Sequence, residues 1–377
     1  MKQIVCVSTS NYYPFPTRKQ NVMNRLSDAE ILYIDPPVTY LAPLKDKAAK
    51  ERLSAWRKGG VKAKENITVY ASPPALPFFN KYRWINRLNQ KRLAKFIKKV
   101  VRENGFERPY LWCYSPTSCD LTELVPNRGV IYDCVDRHSA YKGMINPEVV
   151  DRMEEDLAKR ADMVFCTAQG LYETLKEYNS NTAMIPNGAA YEIFSQAAQP
   201  SEDEKKQPIF GFVGMLQDCI DYECLREVAL KFPDCRLQFI GRRMPGVDLS
   251  AVESCPNVEF IGLVPQTELP EYIRRFDVCL NVFQEGKLSK DVSPLKFYEY
   301  LATGKPIVST KEPLQVTDFA DVVYIAENRE KFLELCAQAL AEHDPEKRAK
   351  RMAYGKACSW DERVKQMERI LEDKHIF

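Results

Sequence analysis

Histidine is nearly missing from this 377-residue chain: three are present, at 138, 343 and 375, which makes a histidine-rich metal site improbable. Glycine is also scarce, at 15 residues, and no G-x-G-x-x-G follows any strand-like run, which argues against a dehydrogenase. No run of about 18 apolar residues occurs, so no membrane-spanning helix is expected. The N-terminal MKQIVCVSTSNYYPFP reads as a strand and a loop whose apolar run is too short for a secretory signal, so a cytoplasmic protein is expected. The twelve cysteines form no C-x-x-C pair, and several sit inside apolar runs (Cys6 in IVCV, Cys166 in MVFCTA, Cys279 in VCLNVF), so they read as reduced, buried thiols. With a net charge of only +2 and no DNA- or RNA-binding motif, nucleic acid is not an expected partner.

What the chain does have is alternation. Short runs rich in Val, Ile, Phe and Tyr recur at 3–8, 31–36, 67–72, 110–115, 130–135, 163–168 and 183–188, and again at 208–214, 236–241, 258–264, 278–283, 306–310 and 322–326, with helical patterns between most of them. Strand–helix alternation of this kind predicts parallel sheets covered on both faces. The series breaks once, at the polar SQAAQPSEDEKKQ (195–207). The expected fold is therefore α/β, with two Rossmann-like doubly wound domains facing a cleft: residues 1–190, a linker at 191–207, a second domain at 208–358, and a final helix at 359–377. The small net charge hides an asymmetry, since residues 1–190 carry +9 and residues 191–377 carry −7, as two units with different partners would.

In open α/β sheets ligands bind beyond the carboxyl ends of the strands, so the loops there are where chemistry is sought. The richest segment is DVSPLKFYEYLATGKPIVST (291–310). Ser293 suits an N-cap, Pro294 the first helical position, and Leu295, Tyr298, Leu301 and Ala302 recur at helical spacing up to Gly304. The N-terminus of such a helix offers free N–H groups and partial positive charge to an anion. Lys296 in the first turn adds a full charge, and Glu299, three residues on, shares its face and can accept two hydrogen bonds from a ribose diol.

This segment resembles the donor-site signature of GT-B-fold glycosyltransferases of the group 1, or family 4, type, and more narrowly of bacterial cell-envelope enzymes of the teichuronic acid type. That family carries an acidic residue, seven intervening residues, and a Glu leading into an xYLAxGKPVV run; here Asp291, Glu299 and YLATGKPIVS stand at that spacing. The order PIFGFVGMLQDCID, LQFIGRR, NVEFIGLVPQTELPEYIRRFDVCLNVF also fits. The resemblance covers almost the whole chain and is most specific for residues 208–310. It implies that a nucleotide sugar, expected to be a UDP-sugar bound as substrate and not as cofactor, is held by Gly214, Arg242, Ser293, Pro294, Leu295, Lys296 and Glu299, with Asp291 near the sugar. The family often clamps the pyrophosphate with an Arg and a Lys after its glycine-rich turn. GFVGMLQDCID has neither, so Lys296, Arg242 and Arg243 are the available substitutes. Asp133-x-x-Asp136 is not the Asp-x-Asp metal motif, and no required metal is expected.

In the first domain, GVIYDCVDRHSAYKG (129–143) ends a strand and brings Asp136 and His138 into its loop, where a His beside an acid can position a hydroxyl or shuttle a proton. The loop STSNYYPFPTRKQN (8–21) carries Arg18 and Lys19, candidate contacts to a glycan or lipid-linked acceptor. Residues 80–104 hold nine Lys and Arg against one Glu, with Trp84, Ile85, Leu88, Leu93, Phe96, Ile97 and Val100 near helical spacing, and form either an ordinary domain helix or one that also rests on an anionic membrane surface. The amphipathic 359–377 is expected to cross back onto the first domain. The leading function is transfer of a sugar, with retention, in envelope polysaccharide synthesis. The alternatives are a nucleotide-sugar epimerase on the same fold, or a non-catalytic glycan- or lipid-binding relative.

Overall fold

A computed structural model of the chain describes residues 1–44, 49–141, 143–199, 207–286 and 290–377. Two compact units form, one from Met1–Pro186 with Val364–Phe377, the other from Asn187–Arg363.

The first unit is built on β1 (Lys2–Val7), β2 (Ala29–Ile34), β3 (Val61–Lys64), β4 (Ile67–Tyr70), β5 (Tyr110–Cys113), β6 (Gly129–Cys134), β7 (Met163–Cys166) and β8 (Thr182–Met184), in the order β3-β4-β2-β1-β5-β6-β7-β8. All pairings are parallel except β3 with β4. β1 lies between β2 and β5, so the strand order reverses there, and the loops after β1 and β5 line one cavity. Continuous apolar runs such as Ile4–Val7 and Leu111–Cys113 are buried because helices cover both faces. Three helices shape the unit's cavities and core: α1 (Arg18–Met23), α2 (Arg83–Glu103) and α3 (Pro147–Arg160). α2 packs Leu93, Phe96, Ile97 and Val100 into the core, whereas Trp84 and Leu88, which share its apolar pattern in the sequence, are 63% and 43% exposed.

The second unit holds β9 (Ile209–Val213), β10 (Arg236–Ile240), β11 (Val258–Gly262), β12 (Val278–Asn281), β13 (Ile307–Thr310) and β14 (Tyr324–Ala326), all parallel, in the order β11-β10-β9-β12-β13-β14. Here the reversal falls between β9 and β12. The helices that fix the site are α4 (Leu295–Thr303) and α5 (Pro345–Ala357). A Cβ on Gly355 would lie 2.5 Å from Ala302 Cα, so only glycine lets α5 approach α4 this closely. The fully buried Arg351 of α5 donates from Nη1 to the Gly304 carbonyl at 2.9 Å and pairs with Glu342, holding the C-terminal end of α4. The chain ends in α6 (Trp360–Asp373); within the first unit Glu368 accepts from Ser27 N–H at 2.8 Å, and the Phe377 ring meets Tyr110 edge-on at 5.2 Å.

The segment expected as a linker differs in its first half. Tyr191–Phe194 and Ser195–Ala198 form short helical turns in the second unit, because Phe194 and Ala197 are fully buried there despite their polar surroundings. Residues 200–206 of that stretch lie outside the described residues.

Candidate functional site

In the second unit the candidate residues collect at the reversal in strand order. α4 follows β12, and Lys296 in its first turn reaches Gly214 in the loop after β9. Lys296 Nζ lies 3.6 Å from the centroid of the Phe212 ring and 4.9 Å from that of Phe283, so the ammonium is enclosed by two aromatic faces. Burial pushes its pKa down to about 7, against the opposing pull of Cys219 and Glu299. Gly214, at φ +138, occupies a conformation that side chains rarely adopt, and a Cβ there would sit 3.6 Å from Lys296 Nζ. Gly241 faces it from the end of β10, and a Cβ on Gly241 would overlap the Gly214 carbonyl. The two glycines thus let two strand-end turns approach the same point.

Glu299 is 6% exposed between Tyr298 and Tyr300, and burial raises its carboxyl to about 7, partly offset by a hydrogen bond from Gln266 Nε2 to Oε1 at 3.2 Å and by Lys296. One turn of helix therefore presents an ammonium and a carboxyl, each driven toward its neutral form by lack of water. A ligand that supplies negative charge to one and hydroxyl donors to the other would relieve both.

The remaining donor-side expectations divide. Ser293 does not cap the helix: Pro294 occupies the N-cap position, no side chain caps the end, and Ser293 Oγ instead accepts from Asn187 N–H at 3.0 Å while the Ser293 carbonyl accepts from Asn187 Nδ2 at 2.8 Å. Leu295, not Pro294, is thus the first helical residue, because the tether to Asn187 fixes the chain one residue ahead of the helix. Arg242 is exposed beside the glycine turn, its carbonyl accepting from Leu216 N–H at 3.0 Å and its side chain touching Met244 Sδ at 3.9 Å. Arg243 turns away, donating to the Val247 carbonyl and pairing with Glu253 at 3.0 Å. Asp291 is half-buried in the turn before α4.

In the first unit, Lys19 and His138 line one cavity of about 420 Å³. His138 is half-buried, its Nδ1 has no hydrogen-bond partner, and desolvation lowers its pKa to about 4, so the imidazole is neutral at physiological pH. Asp136 accepts from Tyr141 Oη at 3.0 Å. Lys19 is 8% exposed, with Nζ 5.8 Å from the Tyr114 ring centroid, and burial lowers its pKa. Arg18 does not reach this cavity's lining. It is buried against Asp133 (Nε to Oδ1, 2.9 Å) and donates to the Ile185 and Pro186 carbonyls, a structural ion pair in place of the expected acceptor contact. Among the described residues, one group has metal-ligand character: Cys134, His138 and Glu154, whose ligand atoms lie within 4.8 Å of one another. Tyr132 Oη donates to Glu154 Oε1 at 2.5 Å and Cys134 Sγ donates to the same oxygen at 3.5 Å, so these groups satisfy one another, and burial raises both the Glu154 carboxyl and the Cys134 thiol.

Sequence reasoning passed over Gln266, Phe212 and Phe283. Each lies at the end of β9, β11 or β12, or in the loop just beyond, and the available signal was that position alone.

Residues 207–353 match the family model described as "Glycosyl transferases group 1". The teichuronic acid biosynthesis glycosyltransferase TuaH of Bacillus subtilis strain 168 is 30% identical over 227 residues, which cover 56% of this chain and 57% of that protein, so the match spans little more than half the length of that relative. Among solved structures, a sucrose-phosphate synthase from Thermosynechococcus elongatus has a TM-score of 0.72 at 14% identity over 99% of both chains. A trehalose-6-phosphate structure from E. coli bound with UDP-2-fluoro glucose has 0.68 at 14% identity over 100% of both. These likenesses establish the two-domain GT-B α/β fold.

Proposed function

We propose that this chain, whose residues 207–353 match the model of the group 1 glycosyltransferases, is a glycosyltransferase that moves a sugar from a UDP-sugar, with retention, to a glycan or lipid-linked acceptor in envelope polysaccharide synthesis. The observation that carries the reading is the half-buried Lys296, enclosed by two aromatic rings, and the buried Glu299 one turn on, on a helix whose first turn lies beside the Gly214 turn. Glu299 accepts the two ribose hydroxyls. Lys296, Arg242 and the N–H groups at Leu295 take the diphosphate, and Asp291 lies toward the sugar. As the bond between the anomeric carbon and the β-phosphate oxygen breaks, negative charge grows on the leaving diphosphate, and the fixed ammonium and N–H dipoles stabilise it without a divalent ion. The acceptor oxygen forms the new bond to the anomeric carbon and passes its proton to the departing diphosphate oxygen, on which the negative charge has grown. In the first unit His138 and Asp136 orient an acceptor hydroxyl; because the imidazole is neutral, it acts there as a hydrogen-bonding group.

The uridine and the retention are supported by relatives of the same fold, one titled as UDP-forming and another as transferring with retention; the envelope acceptor is supported by the name of the Bacillus relative. No described helix is long and apolar enough to cross a membrane. Peripheral contact with an anionic membrane is supported by the outward face of α2, where Arg87, Lys91, Lys95 and Lys98 flank the exposed Trp84 and Leu88.

A thermal-shift screen of nucleotide sugars tests the donor assignment, since a ligand of the folded state raises the melting point by mass action. UDP-sugars are expected to stabilise the protein, and free UDP is expected to appear rapidly only when acceptor is added, with EDTA having no effect. Interconversion of sugars without acceptor would instead identify an epimerase, and no donor binding at all a non-catalytic relative.

A further inference from the structure

The start of α4 is uncapped although a serine stands beside it. Pro294 occupies the N-cap position, brings no N–H of its own, and no side chain accepts from the first turn. The N–H groups of Leu295 and Lys296 have no acceptor within the helix, as at any helix start. Ser293 is of the residue type that caps such groups. Its Oγ instead accepts from Asn187 N–H at 3.0 Å, and its carbonyl accepts from Asn187 Nδ2 at 2.8 Å. Because a carbonyl only accepts, the amide nitrogen of Asn187 is the atom that faces it. One residue, 106 positions away in the chain, thus holds both polar groups of Ser293, which is 7% exposed.

That grip has a mechanical consequence. The pinned Ser293 carbonyl belongs to the planar peptide that leads into Pro294, whose ring fixes φ, here at −76°. Between that plane and the Leu295 N–H one soft angle is left, ψ of Pro294. Fixing Ser293 therefore sets the direction of the first free N–H of the helix and, through the helical geometry, of the next.

Asn187 is itself held from behind. A Cβ on the neighbouring Gly188 would lie 2.8 Å from the Cys358 carbonyl oxygen and 3.0 Å from Trp360 N, so only glycine lets the chain lie this close to the start of α6. Ala189 N–H donates to the Cys358 carbonyl at 3.0 Å, and Trp360 N–H donates to the Ala189 carbonyl at 2.9 Å. The Asn187 carbonyl accepts from Arg363 Nε at 3.3 Å, and the Arg363 guanidinium lies 5.7 Å from the centroid of the Tyr298 ring on α4. The first and last residues of the second unit, Asn187 and Arg363, are thereby joined to each other and to the donor helix. Asn187 Oδ1, in contrast, is sealed from water without a partner. An unpaired buried acceptor destabilises a fold, so stability alone does not account for an asparagine at this position.

We propose that Asn187 is a positioning residue for the donor: it keeps Ser293 from capping α4 and aims the N–H groups of Leu295 and Lys296 at the diphosphate. The inference rests on the donor site read at α4 and adds that its two halves are set separately. Glu299, a turn into the helix, is placed by the helix itself and by Gln266, whereas the phosphate end depends on a residue outside it.

UDP and uridine separate the two halves, since uridine keeps the ribose and lacks the diphosphate. In the full chain, Asn187→Ala is expected to weaken UDP about tenfold by calorimetry and to leave uridine, followed by ligand-observed NMR, within about twofold of the unaltered protein. The melting temperature should hold, because the lost hydrogen bond is offset by removal of the unpaired carbonyl. Asn187→Asp should weaken UDP further, about 100-fold, since its side chain no longer donates to the Ser293 carbonyl and sets a negative charge beside the phosphate end. Ser293→Ala, which loses only the bond from Asn187 N–H, should weaken UDP about threefold. Equal losses of UDP and uridine in Asn187→Ala would mean that the residue supports the fold and would overturn the proposal, as would unchanged UDP affinity. An unaltered chain that binds neither UDP nor uridine would instead sink the donor reading itself.

Discussion

The two units meet their ligands with opposite physics. The second concentrates charge: an ammonium and a carboxyl three residues apart on α4, both short of water and both held near pH 7. The first disperses its polarity, setting amides, hydroxyls and an uncharged imidazole, with the single amine of Lys19, from the loop after β1, α1, α2, the loop after β5 and the loop after β6 around one cavity. A diphosphate and a vicinal diol need the former, since their recognition is dominated by charge-assisted hydrogen bonds. A sugar without charge needs the latter, in which shape and donor–acceptor matching do the sorting.

The sharpest way to break this contrast is at Glu299. Two charge-assisted hydrogen bonds to a ribose are worth about 1.5–3 kcal/mol each, so Glu299→Ala is expected to weaken UDP binding by about 100-fold or more by calorimetry. Unchanged affinity and turnover in that variant would remove the donor site from α4. Lys296→Met comes next. Turnover is expected to fall by about 100- to 1,000-fold, as when a single charge-stabilising donor is lost, while the melting temperature holds or rises because a desolvated cation is replaced by an apolar chain. Its counterpart in the first unit, His138→Ala, should lower turnover by about 100-fold and leave UDP affinity untouched. A shift in UDP affinity there would mean that the division of labour is drawn wrongly.

How much of this contrast the sequence carried depends on the same difference. Concentrated features are legible. The run from Asp291 to Gly304 carries its own helix signals, and Lys296 and Glu299 share a face by spacing alone. Every described strand except β3 coincides with an apolar run. β3 reads VKAK, an exposed edge strand with lysine at alternate positions, and it resembles the basic loop around it because edges are blunted in just this way. Dispersed features are not legible. Asn86, Asn89 and Gln90 on α2 line the first unit's cavity, which exists only once the sheet order brings the loops after β1 and β5 over that helix. The signal was nevertheless present, since polar residues at 86, 89 and 90 interrupt a stripe that resumes at Leu93. Arg18 shows the converse: a basic residue in a tyrosine- and proline-rich loop reads as solvent-facing until the fold sets Asp133 against it.

pH sharpens the comparison further. Glu299 is raised from 4.5 to about 7, so its carboxylate is lost as pH falls through about 7; Lys296 is lowered from 10.5 to about 7, so its ammonium is lost as pH rises through about 7. UDP affinity is therefore expected to peak near pH 7 and to decline on both sides, with proton uptake on binding above the peak, visible in calorimetry as a dependence on buffer ionisation enthalpy. The same shifts act on stability with their own signs. Glu299 favours the folded chain below pH 4.5 and that contribution fades as pH rises through about 7, whereas Lys296 favours it above pH 10.5 and fades as pH falls through about 7. His138, already lowered to about 4, stays neutral between pH 5 and 8 and adds no limb to the profile.

The smallest expected effect tests the finest part of the contrast, whether the charged site is tuned or merely present. Gln266 reaches Glu299 from the loop after β11, and its amide hydrogen bond favours the ionised carboxylate against the burial that opposes it. Removing it with Gln266→Ala takes away one hydrogen bond to a group that the ribose would itself satisfy on binding. Affinity at pH 8, where the carboxylate is mostly formed, should drop only about threefold. At pH 6 the deficit should be larger, because without that bond the carboxyl holds its proton to higher pH. The acid limb of the UDP-binding profile is thus expected to move upward while the alkaline limb, set by Lys296, stays in place. If both limbs stay put, Gln266 does not tune Glu299; if both move together, the two ionisations belong to one shared proton and cannot be assigned to separate ends of the donor.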